Sequence, residues 1–100
     1  MKHTSDVLII GGGVTGCAAA YYLSTLGIKT TIVERSGVAS QASGYAAGGL
    51  NPLEGYEIPG LLSDFAMVSY LLHLALWEPL QEKTGINYYS RILDLLKVAY

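Results

Sequence analysis

One cysteine, one tryptophan, one phenylalanine, three prolines and only six lysine or arginine residues occur among 100 positions. Each shortage excludes something. With Cys17 alone, no internal disulfide framework and no cysteine-cluster metal site can form, and a reducing compartment is the default expectation. Six basic residues against eight acidic ones give a formal net charge of -2, which leaves no electrostatic footprint for nucleic acid and no polybasic surface for anionic lipid. No apolar run is long enough to span a bilayer: "FAMVSYLLHLALWEPL" is bounded by Asp64 and interrupted by His73, Glu78 and Pro79. The start, "MKHTSDVLIIGGG", has an apolar run of four residues followed by glycines, which is no secretory signal. A cytoplasmic location is expected. His73 has Trp77 at i+4 instead of a second ligand, so it reads as a packed or surface histidine, and no metal site is expected.

Hydrophobic residues make up 51% of the chain, which argues against disorder, and the length admits at most one domain with a modest core. Val7 to Ile10 is a short apolar run rich in branched residues, read as a buried strand whose neighbours cover both faces. Val14 to Leu26 reads as a helix with Gly27 at its carboxyl cap, and "IKTTIVE" as a second strand ending at Glu34. Strand, helix and strand within residues 5–35 make a βαβ unit of the α/β class, with parallel strands and a right-handed crossover. A loop of small residues follows over 36–60, then a helix over 61–84 that Pro79 should break or bend, with Gly85 at its end. "INYYSRILDLLKVAY" favours a strand over 86–100, although "RILDLLKV" alone could be helical. The chain stops in mid-pattern, and a doubly wound fold needs more strands, so a piece of a longer protein is expected.

"GGGVTG" between the two strands is G-x-G-x-x-G at Gly11, Gly13 and Gly16. Alone it is a weak signal. Here it leaves a strand, opens a helix and has an acid, Glu34, eighteen positions beyond Gly16, which is the dinucleotide-binding context. Gly11 permits the tight turn, Gly13 lets a pyrophosphate approach the backbone, and Gly16 allows close packing of helix on strand. The unpaired amides of the first helical turn then face the phosphates. Glu34 would accept hydrogen bonds from the adenosine ribose and repel a 2′-phosphate, favouring FAD or NAD over NADP. Arg35 could accommodate a phosphate, lie over the adenine or point to solvent. Cys17 reads as a small buried residue rather than a redox thiol, and Tyr70, Tyr88, Tyr89 and Tyr100 as packing residues.

The run "GGGVTGCAAAYYLSTLGIKTTIVER" resembles the amino-terminal signature of FAD-dependent oxidoreductases, with Ala20 in a glycine's place. Within that class, "ASGYAAGGLNP" resembles the A-S-x-A-A-G-x-L loop of the D-amino-acid oxidase group, which includes glycine oxidase and sarcosine oxidase. "SDFAMVSY" and "TGINYYSRILDLLKVAY" are also similar to the helix and following strand of glycine-oxidase-like members, so the likeness runs through essentially the whole chain. Two features depart from the pattern: Gly44 and Tyr45 make the loop about one residue longer, and the usual R-T-G is "RIL" at Arg91.

The resemblance implies a Rossmann-like βαβ FAD-binding unit belonging to a larger two-domain flavoprotein, whose substrate domain is not in this chain. FAD is the expected cofactor. Beside Gly11, Gly13, Val14, Thr15, Gly16, Glu34 and Arg35, it implies that Gln41, Ala42 and Ser43 meet the pyrophosphate, with Ser43 a donor, and that Ala46, Ala47, Gly48, Gly49 and Leu50 lie near the flavin. Small residues suit a loop passing so close to a cofactor. The implied reaction oxidises an amine or amino acid by hydride transfer to the flavin, with the cofactor carrying the chemistry. Catalytic residues are unknown, and the 100 residues alone are expected to be inactive. Open alternatives are another flavoprotein, such as a dehydrogenase or the oxidase-like half of a tRNA-modifying enzyme, an NAD-dependent enzyme, and a protein-binding scaffold of the GDP-dissociation-inhibitor type.

Overall fold

The computed structural model describes residues 4–52, 60–94 and 96. Its elements run β1 (Val7–Ile10), α1 (Val14–Thr25), β2 (Thr30–Val33), α2 (Ala42–Tyr45) and α3 (Ser63–Thr84). They gather into two compact units, Met1–Gly49 and Leu50–Tyr100.

In the first unit β1 and β2 pair in parallel, with Val7 opposite Thr30 and Ile10 opposite Val33. α1 connects them, which is the expected βαβ unit. The side chains of Val7, Ile9, Thr30 and Ile32 are half-buried. This face looks towards α1, because a Cβ on Gly16 would stand 3.3 Å from the Ile9 Cγ2. The opposite face differs from the expectation of a strand buried on both sides: Leu8, Ile10 and Val33 are 61%, 87% and 50% exposed. A continuous apolar strand suits a sheet covered on both faces, and among the described residues one helix covers one face.

Local chemistry sets the boundaries. α1 ends in a paired cap: the Gly27 amide donates to the Ser24 carbonyl (3.0 Å) and the Ile28 amide to the Leu23 carbonyl (3.0 Å), with Gly27 at φ +74°. These are the two bonds of a Schellman motif, and the left-handed residue they require is a glycine. The cap also explains why β2 is shorter than "IKTTIVE". Ile28 has spent its amide on the helix, and the Lys29 amide goes to the Asp6 carboxylate at 3.1 Å.

The second unit is built on α3. Ser63 opens it, accepting from the Gly60 amide at 2.6 Å, and Asp64 in the first turn and Lys83 in the last oppose the helix dipole. α3 continues through Pro79 to Thr84 instead of breaking there. Proline removes one amide, the donor to the Ala75 carbonyl, but its fixed φ is itself helical, so a long helix can absorb the loss. The Tyr88 hydroxyl donates to the Trp77 carbonyl 11 positions earlier, which ties the following segment back to the helix. Residues 86–94 form neither strand nor helix, where a strand was expected over 86–100, and positions 95 and 97–100 lie outside the described residues. A strand needs a partner for its backbone donors, and the described sheet consists of β1 and β2 alone. Among the described residues no helix is long and apolar enough to cross a membrane.

Candidate functional site

Where β1 gives way to α1, the chain turns through Gly11 at φ +106°, a backbone angle that an L side chain rarely adopts. Its amide donates to the Val33 carbonyl at 2.8 Å, so the turn begins while still attached to β2. Gly16 follows in the first turn of α1. A Cβ there would lie 2.1 Å from the Gly11 carbonyl oxygen, which no relaxation of a side chain could relieve. The third glycine of the motif is therefore required by close approach of helix to turn.

Gly12, a variable position of the motif, is the hub, and it is the single fully buried residue among those described. Its amide donates to Glu34 Oε2 at 2.7 Å. Its carbonyl accepts from the Ala39 amide at 2.9 Å, and the Cys17 thiol lies 3.5 Å from the same oxygen. Glu34 Oε1 takes a second amide, that of Ser36, at 2.9 Å. The Gly12 amide, then the Ser36 amide, hold the Glu34 carboxyl below the usual carboxylate range, because both favour the charged form. The Gly37 and Arg35 amides act in the same direction, so the carboxylate is held by the backbone around it.

At the other end of the cradle stands Ser43. Its Oγ accepts from the Val14 amide at 2.9 Å, supplying a cap to α1 from 29 positions along the chain. α1 has no acidic residue in its first turn and no side-chain cap from Gly13, so Ser43 and the Glu34 carboxylate on the Gly12 amide serve its positive end from elsewhere in the chain. The Ser43 hydroxyl can accept from Val14 and still donate its own proton outward. Gly13 has ordinary φ, and what matters there is space: a Cβ would come 3.1 Å from the Ser43 oxygen.

A pocket of about 160 Å³ lies between these groups, lined by Gly13, Glu34, Gly37 and the run from Ala39 to Ser43. That volume is below the ~300 Å³ at which pockets enclose a drug-sized ligand, so it can take a phosphate and a sugar but not a whole dinucleotide. Its carboxylate end suits ribose hydroxyls and its helix end suits an anion. The residues present therefore fit a ribose and a phosphate of the kind a dinucleotide carries. A structural role binds the run 36–50 to this purpose as well. It contains a turn over 37–40 and the single-turn α2, in which Gly44 packs so tightly that a Cβ would lie 2.0 Å from the Ala39 carbonyl oxygen.

The structure thus brings together Gly13, Glu34, Gln41, Ala42 and Ser43 from the sequence reading, with Gly11, Val14 and Gly16 shaping the turn beneath them. Thr15 and Arg35 are exposed and do not line the pocket. Ala46, Ala47, Gly48 and Gly49 form an exposed irregular stretch, and Leu50 belongs to the second unit. The sequence reading missed Gly12, Ser36, Gly37, Ala39 and Ser40. Most of them act through the backbone, and a backbone amide carries no signature of residue type. No group of His, Cys, Asp or Glu among the described residues could hold a metal ion.

Fold and site together define a Rossmann-like βαβ unit carrying the glycine turn and acid with which such folds hold dinucleotides. The profile of a family described as FAD dependent oxidoreductase (DAO) matches residues 6–100. The chain is 32% identical over 100 residues to a glycine oxidase of Bacillus licheniformis, covering all of this chain and 27% of that protein. It is 36% identical over 99 residues to a glycine oxidase of Geobacillus kaustophilus, covering 99% of this chain and 26% of the relative. Similarity to a glycerol 3-phosphate oxidase of Mycoplasma pneumoniae is 49% over 48 residues, covering 48% of this chain and 12% of that protein. The chain belongs to the FAD-dependent oxidoreductase family. It spans about a quarter of the length of the glycine oxidases it matches.

Proposed function

We propose that the whole protein oxidises a small amine or amino acid and that these 100 residues supply the ADP-binding part of its FAD site. The observation that carries the cofactor role is the pairing, in one pocket, of the Glu34 carboxylate on the Gly12 amide with the Ser43 hydroxyl on the Val14 amide. Glu34 holds the adenosine ribose through its carboxylate. Ser43 donates to the pyrophosphate, and the remaining first-turn amides of α1 favour its negative charge. Gln41 and Ala42 complete that wall, and Ala46 to Leu50 run beside the flavin. When bound, FAD supplies the hydride acceptor for the carbon bearing the nitrogen. The 100 residues alone hold a cofactor half-site and do not turn over substrate. In this reading the protein works in the cytoplasm and binds no nucleic acid.

Two substrate classes compete, and the extent of similarity favours one. Likeness to glycine oxidases runs the full chain at 32% identity, whereas likeness to enzymes of glycerol 3-phosphate is 49% over 48% of it for an oxidase and 38% over 73% of it for a mitochondrial dehydrogenase of Mus musculus. Anaerobic absorbance spectra of the full-length protein decide the matter. Bleaching of the flavin bands by glycine, sarcosine or a D-amino acid is the expected result. Bleaching by glycerol 3-phosphate and by none of these would overturn the amine reading while keeping the cofactor.

A further inference from the structure

Ala39 has φ +56°, and Tyr89 is the other described non-glycine residue with positive φ. The two differ in what they hold. The Tyr89 amide goes to its near neighbour Asn87 at 2.9 Å, a local turn. The Ala39 amide reaches 27 positions back to the Gly12 carbonyl at 2.9 Å, and Ala39 also lines the pocket. It sits third in the turn closed by the Ser40 amide on the Gly37 carbonyl (3.2 Å), a place where positive φ normally calls for glycine or asparagine. Its carbonyl oxygen packs against Gly44, where a Cβ would approach to 2.0 Å. A strained residue persists only where its surroundings over-determine it, and such residues cluster at binding sites.

We propose that Ala39 is a positioning residue for the cofactor: its left-handed backbone aims its amide at Gly12 and so fixes the glycine turn, with its grip on Glu34, at the width the ADP portion needs. The proposal rests on the FAD reading above. Gly12 is bonded on both sides, through its amide to Glu34 and through its carbonyl to Ala39. Turning residue 39 to negative φ swings its amide away from Gly12. That frees the loop wall and lets the Glu34 carboxylate drift from the pocket.

The test measures FAD, ADP and FMN affinity of the full-length protein, by flavin fluorescence and by competition, in Ala39→Gly, Ala39→Asn and Ala39→Val. Asparagine and valine have similar volumes, but asparagine tolerates the left-handed region and the β-branched side chain does not. Ala39→Gly and Ala39→Asn are expected to bind FAD and ADP within about threefold of wild type, and Ala39→Val about tenfold more weakly. FMN, which lacks the adenosine half, should bind all of them alike, an outcome that general damage to the fold would not give. If Ala39→Val does not fold, Ala39→Leu takes its place with the same expectation. Wild-type affinity in the valine or leucine variant, or equal loss in asparagine and valine, would overturn the proposal. A wild-type protein that takes up neither FAD nor ADP would remove the FAD reading and the proposal together.

Discussion

Both compact units make short-range side-chain hydrogen bonds, but the bonds that frame the pocket in the first reach much further along the chain. In Met1–Gly49, Glu34 reaches Gly12 across 22 positions and Ser43 reaches Val14 across 29. In Leu50–Tyr100 the bonds joining Ser63 to Gly60, Thr84 to Leu80 and Asn87 to Tyr89 are local, and that of Tyr88 to Trp77 spans 11. Local bonds define where a helix begins and ends. Long-range bonds to backbone amides hold separate segments at a fixed spacing, which a binding cradle requires. The difference supports the proposed ADP-binding role of the first unit, and each residue proposed to carry it can be tested against one in the second.

The largest effect is expected at Gly16, where even one methyl meets the Gly11 carbonyl at 2.1 Å. Gly16→Val should destabilise the full-length protein by about 3 kcal/mol or more through overpacking, and abolish FAD uptake. Thermal unfolding and the flavin absorbance of the purified variant report both. A yellow protein of wild-type stability would show that the helix does not sit where the close contact puts it.

Glu34 comes next. Glu34→Ala leaves the Gly12 and Ser36 amides without their shared acceptor and removes the proposed ribose contact, so FAD affinity should fall about tenfold in an equilibrium titration. Its pH behaviour sharpens the point. Because the folded carboxyl is held below its ordinary value, chiefly by Gly12, the charged form and its stabilisation are fully present above the unfolded pKa. They are lost as pH falls through the lowered folded value. A carboxyl NMR titration should place the Glu34 midpoint below that of an ordinary glutamate, and a midpoint at or above it would break the link to Gly12.

Smaller effects separate the units. Ser43→Ala removes the distant cap of α1 and should cost about 1 kcal/mol of stability together with a severalfold loss of FAD affinity, partly restored by Ser43→Thr. Tyr88→Phe removes the bond to Trp77 in the second unit and should cost about 0.5 kcal/mol with no change in FAD affinity. Equal losses of FAD affinity in these two variants would erase the distinction between the units.

What was legible in the sequence follows the same division. β1 was read to the residue, because a branched apolar run between polar residues and glycines is a local signal, and Gly27 marked the end of α1 for the same reason. Glu34 was found by its spacing from the glycines. Gly12, Ser36 and Ala39 were not found, since their part is played by backbone amides and, at Ala39, by a dihedral angle that alanine seldom adopts. α2 was hidden within a run of small residues whose helical turn depends on Gly44 fitting against Ala39. The segment 86–94 was misread because its branched and aromatic residues favour a strand only where a neighbouring strand accepts them.

The measurement closest to the central claim compares FAD with FMN as ligands of the full-length apoprotein, in wild type and in Glu34→Ala. The two ligands share the flavin and differ by the adenosine half that this chain is proposed to hold. Wild type should bind FAD far more tightly than FMN, and Glu34→Ala should lose much of that advantage while its FMN affinity stays unchanged. Equal affinity for the two ligands in wild type, or an advantage untouched by the substitution, would contradict it.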